Sequence, residues 1–166
     1  GGDRREAEVK RGGVMSIVFV GEAPALPDVP AFWPFEPGAG SRLAGLMGLT
    51  PQVFWQMRMK GTITLVNLFG EPVEGWDAGL AATKATLLCF DHFVVGPGVL
   101  RWNLVMLGRK VARAFDDLRP FFELSETDAG NRAVVVPHPS GKCRVWNDKR
   151  NVAKFRKVMR ELGAIS

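Results

Sequence analysis

Two histidines occur in this chain of 166 residues, and one of them, His138, stands in the stretch VPHPSGKCR, where an apolar run gives way to turn-forming residues. An imidazole placed just beyond a strand can donate to an oxyanion or move a proton. Its alternative is a loop histidine packed beside Pro137 and Pro139. Asn67 closes a second apolar run, TITLVN. Its carboxamide offers an acceptor and two donors, enough to meet a planar group with a bidentate pair, or it serves only its own backbone. The carboxylates Glu22 and Asp28 lie in a third segment, GEAPALPDVPAFWPF (21–35), together with Phe32, Trp33 and Phe35. Aromatic rings presented from such a stretch can stack on a flat ligand. After the histidine, Ser140, Gly141, Lys142 and Arg144 form a small basic turn suited to phosphate, or one that is merely solvated.

These groups can act together only if the fold brings three strand ends to one edge. Ser16 to Val20 (SIVFV) is a short β-branched run that stops at Gly21, as a buried parallel strand does before a loop carrying function. Thr62 to Val66, Leu104 to Leu107 and Ala133 to Val136 are the other strand candidates, ending at Asn67, Gly108 and close to His138. Between them, Ser41 can cap a helix through Leu43, Leu46 and Met47, and Thr50 a second one that begins at Pro51. Asp77 to Cys89 and Arg109 to Phe115 read as further helices. The closing helix starts near Asn147 or Asp148 and sets Val152, Phe155, Met159 and Leu162 on one face. Alternating strands and helices predict an α/β fold, a three-layer α/β/α sandwich around a central, mainly parallel four-stranded sheet, with ligands bound beyond the carboxyl ends of the strands. Segment 91–102 has no clear assignment. Residues 1–14 (GGDRREAEVKRGGV) mix charge with glycine and read as a flexible leader or an appended remnant, leaving one domain over 15–166.

Lys and Arg number 22 against 17 acidic residues, a net charge of +5 that favours polyanionic partners. No apolar run reaches the roughly 20 residues that span a bilayer, so the expectation is an intracellular protein, cytoplasmic or nucleoid-associated, acting as a monomer away from the membrane. Cys89 and Cys143 are too few for a disulfide framework or a four-cysteine metal site.

Taken in order and spacing, the three segments resemble the uracil-DNA glycosylase superfamily. GEAP at 21–24, an acidic residue at Asp28 and the pair Pro34–Phe35 are similar to the first motif of its family-four enzymes. GAGSRLAGLMGL resembles the glycine-containing stretch and leucine-rich helix that follow, LVMLGRKVARAF the interior strand and helix, and His138-Pro139-Ser140 the second catalytic motif. The resemblance runs from about Ile17 to the chain end. It implies the superfamily's fold and a partner that is DNA with an extruded pyrimidine base. Such a site must shield a cationic sugar, hydrogen-bond an anionic base and place a water.

On this resemblance His138 donates to the pyrimidine O2, Asn67 reads the N3 and O4 edge, and Phe35 stacks on the base, with Phe32 or Trp33 as substitutes. Phe35 as core filler is the alternative. Asp28 orients the attacking water, unless it is simply an exposed loop aspartate. Glu22 contributes chiefly through its backbone, and Ala23 occupies the position where some branches place a catalytic Asp or Asn. Ser140, Gly141, Lys142 and Arg144 contact DNA, and Arg144 or Trp146 fills the vacated stack unless the tryptophan is a core anchor.

Family four holds an iron-sulfur cluster on four cysteines that this chain does not have, and Ala25 replaces its usual glycine, so no cofactor and no metal are expected. The unusual HPSGKCRVWND stretch opens the choice of base to modified pyrimidines. The leading expectation is a monofunctional DNA glycosylase that flips uracil or a related pyrimidine and hydrolyses its N-glycosidic bond. A catalytically weakened DNA or modified-base binding module of the same fold is the alternative. A small-molecule hydrolase or transferase acting on a free nucleoside or nucleotide ranks behind both.

Overall fold

A computed structural model describes residues 16–96, 99–100, 102–127 and 130–166. The leader expected at residues 1–14 lies outside the described residues. Four β-branched or aliphatic runs form the strands β1 (Ile17–Gly21), β2 (Ile63–Asn67), β5 (Asn103–Leu107) and β7 (Arg132–Val136), which pair in parallel in the order β2-β1-β5-β7. A two-residue strand β6 (Ser125–Glu126) adds to β7 in antiparallel sense. The expected four-stranded sheet is thus corrected to five strands, mixed in direction. Ser125 and Glu126 carry no apolar signal. Their position is fixed by the Arg119 guanidinium, which donates to the Ser125 hydroxyl and, at 2.8 Å, to the Ala133 carbonyl.

Alternation along each strand feeds two cores, as the pleat requires. Phe19, Val105, Leu107, Val134 and Val136 face one cluster, while Val18, Val20, Met106 and Val135 face the other. The first is closed by α1 (Ala39–Leu46), α2 (Pro51–Met59) and α5 (Lys149–Leu162), which contribute Leu43, Phe54, Phe155 and Met159. The second is closed by α3 (Ala78–His92) and α4 (Arg109–Ala114) through Ala81, Ala85, Leu88, Val111 and Ala112. Helices therefore cover both faces of the sheet. The previously unassigned segment 91–102 contains the end of α3 and a small antiparallel ribbon, β3 (Val94–Gly96) with β4 (Val99–Leu100).

Helix boundaries follow local chemistry. Thr50 accepts from the Val53 amide at 3.2 Å, Asp77 from Leu80 at 3.0 Å and Asp148 from Arg150 at 2.9 Å, each satisfying a donor the helix start would leave open. Ser41 does not begin α1 as expected. The cap is Gly38, three residues earlier, and the Ser41 hydroxyl accepts from the Gly38 amide at 3.1 Å. Arg156 donates to the Leu46 carbonyl at 2.9 Å, and Arg132 to the Glu161 carbonyl at 2.8 Å, so two helix ends are closed by guanidinium groups. Among the described residues no helix is long and apolar enough to cross a membrane.

Candidate functional site

Because β1, β2, β5 and β7 run in parallel, Gly21, Asn67, Leu107 and Val136 end at one edge of the sheet. Pairing continues a step further, with Leu68 donating to the Gly21 carbonyl at 2.9 Å and Phe69 to the Glu22 carbonyl at 3.0 Å. A cavity of about 340 Å³ opens beyond this edge. Its walls bring together Ala23, Phe32, Asn67, His138 and Ser140, with Arg42 from the first turns of α1.

Two glycines shape this region. At Gly21 an added Cβ would collide with the tip of the Phe32 ring and with Oδ1 of Asn67, so both groups crowd the end of β1. Phe32 holds a φ of 56°, costly for an aromatic residue, and is buried all the same. The space for it comes from Gly40, where a Cβ would strike the backbone of Phe32 and Trp33. Gly108 has a φ of 99°, a conformation glycine adopts without strain. An added Cβ there would lie 3.3 Å from Cβ of His138 and 3.8 Å from Oε2 of Glu22. The imidazole and the Glu22 carboxylate thus flank Gly108 together.

His138 is half-buried between Pro137 and Pro139, both buried. Burial pushes its imidazole below the usual histidine range; the Glu22 carboxylate pulls it partly back up, and the Lys110 ammonium pushes it down again. Near neutral pH it is therefore an uncharged imidazole with one N–H to donate. Its carbonyl accepts from Nε1 of Trp146 at 3.0 Å. Trp146 packs edge-on against Phe155 and Phe122 at 5.3 and 5.8 Å, so it anchors the histidine loop from the core. The alternative in which Trp146 fills a DNA stack is set aside by those contacts. Among the described residues the side chains of Asn67 and His138 make no hydrogen bond, which leaves their polar atoms available to a ligand.

Other expected site residues fall elsewhere. Asp28 lies in an exposed turn and is not part of the cavity wall, although its neighbours Leu26 and Val29 are. Phe35 is 43% exposed and sits edge-on to Trp33 at 4.8 Å, outside the wall. The ring inside is Phe32, one of its two named substitutes, and Trp33 also lines the cavity. Gly141, Lys142 and Arg144 are exposed on the turn after His138 and follow Ser140 out of the cavity. Arg42 was not anticipated. In sequence it reads as one polar position of an amphipathic helix, and only the packing of α1 against the histidine turn brings it to the site. Among the described residues no group of three or more His, Cys, Asp or Glu side chains is placed to hold a metal ion.

No protein-family model and no curated protein matches the chain.

Proposed function

We propose that the chain is a DNA glycosylase of the uracil-DNA glycosylase type, one that draws uracil or a related modified pyrimidine into the cavity and hydrolyses its bond to deoxyribose. The observation that carries this reading is the convergence of Asn67, His138 and Phe32 on one cavity at the carboxyl edge of a parallel sheet. A pyrimidine offers a flat apolar face and an edge of alternating donors and acceptors. Phe32 supplies a ring surface for the face and the unpaired Asn67 carboxamide a complement for the N3 and O4 edge. As the glycosidic bond breaks, negative charge collects on the base. The neutral His138 imidazole donates to O2 at that moment, from a position already fixed by Trp146 and the two prolines. Asp28 is the carboxylate assigned to the attacking water, acting from the exposed turn between two cavity-lining residues.

The location of Asp28 outside the wall, with Ala23 within it, favours a second reading: a binding module that holds the extruded base without cleaving it. Incision of an oligonucleotide bearing one uracil, developed with alkali, separates the two. The glycosylase reading expects scission by the wild type, a fall of about 10²–10³-fold in rate for His138→Ala and a comparable loss for Asp28→Asn. Tight binding without scission, on uracil and on a panel of 5-substituted pyrimidines, would leave the binding module.

A further inference from the structure

Arg42 is the cation on the cavity wall. It is exposed, and among the described residues it has neither an ion pair nor a hydrogen bond. Glu36 shares the wall without pairing to it. The guanidinium rests on the turn after His138, where a Cβ added to Gly141 would lie 2.7 Å from Nη2 and 2.9 Å from Cζ. Gly141 therefore leaves the slot the guanidinium occupies. Ser140, also on the wall and half-buried, stands beside that slot, and its hydroxyl makes no hydrogen bond among the described residues. Charge and recognition are thus divided within one cavity: the groups over the strand ends, Asn67 and the neutral His138, suit an uncharged planar ring, and the exposed end presents an unpaired planar cation next to a free hydroxyl. A guanidinium meets phosphate oxygens with two parallel bonds, which a lysine cannot do. Lys142 and Arg144, exposed on the same turn, add further positive charge near it.

Resting on the reading given under Proposed function, we propose that Arg42, seated against Gly141 and beside Ser140, binds a phosphate next to the nucleotide whose base fills the cavity. The site then selects a base carried on a phosphodiester chain over the same base in a free nucleoside. Arg42 is a positioning and specificity residue, one that registers the backbone so that the base reaches Asn67 and His138.

The test is equilibrium binding of a labelled single-stranded oligonucleotide carrying one 2′-fluorodeoxyuridine, which resists cleavage, over a range of salt concentrations. The two phosphates flanking that nucleotide are replaced in turn by uncharged methylphosphonate. Wild type is expected to lose about tenfold in affinity for one of the two replacements. Arg42→Gln loses about the same on the unmodified strand, shows a salt slope shallower by about 0.7, and loses nothing more on that methylphosphonate. Gly141→Ala, in which only the flexible end of Arg42 must move, reproduces the loss while unfolding at the wild-type temperature. Equal methylphosphonate penalties and equal salt slopes for wild type and Arg42→Gln would overturn the assignment while leaving the glycosylase reading intact. Wild type that does not bind the oligonucleotide at all would remove both.

Discussion

His138 gains its chemistry from its surroundings more than from its identity. Two buried prolines and the Trp146 indole fix its backbone, and burial keeps its imidazole neutral against the opposing pull of Glu22. That depression has a thermodynamic consequence of definite sign. Below about pH 6.5 the unfolded chain takes up a proton at this position that the folded chain resists, so the histidine adds stability above that pH and withdraws it as pH falls further. Urea denaturation midpoints at pH 7.5 and 5.5 should therefore drop more for wild type than for His138→Gln; an equal drop would mean the folded imidazole titrates like the unfolded one. The placement of His138 and Asn67 at one sheet edge was readable in the sequence, because each is a polar residue terminating an apolar run. Phe32 was harder to single out. Three aromatic residues share the loop, and the choice among them rests on a left-handed backbone and on space left by Gly21 and Gly40, neither of which has a local signature. The Arg42 position depends on a contact between residues 42 and 141, far apart in the chain.

At the scale of elements, the site depends on helices that hold two loops against one sheet edge. The four parallel strands and the capped starts of α2, α3 and α5 follow from patterns visible in the sequence: β-branched runs, and Thr50, Asp77 and Asp148 placed ahead of them. The ribbon β3–β4 and the edge strand β6 were not legible, since strands of two or three residues have too few side chains to show a period. The start of α1 was displaced for a related reason, as tertiary packing of Gly40 on the Phe32 loop governs it more than the Ser41 hydroxyl does. Removing one cap gives a clean measure of what such local signals contribute. Thr50→Ala deletes the acceptor for Val53 at an exposed position and is expected to lower unfolding free energy by about 1 kcal/mol, read from chemical denaturation. No change would mean that packing of Phe54 alone fixes this end of α2.

Over the whole molecule, a chain with a net charge of +5 places a cation on the cavity wall and more on the turn beside it. Composition alone pointed to a polyanion. In the fold the basic turn, Arg42 and the cavity share a single edge of the sheet, the edge at which α/β proteins place their ligands. The five-stranded mixed sheet differs from the four-stranded one expected, yet the difference lies at β6, on the far side of β7 from β1 and β2, and leaves the ends of those strands in register. Occupancy of this cavity by an extruded pyrimidine is checked by fluorescence of 2-aminopurine placed beside a 2′-fluorodeoxyuridine in duplex DNA, which brightens when its neighbour leaves the stack. Wild type should raise the emission, and Ala25→Trp, which fills the cavity from an exposed part of its wall, should abolish the rise while still binding the duplex in a salt-dependent manner. Emission that stays flat with wild type bound, or rises equally with the filled cavity, would mean that no extruded base enters the cavity.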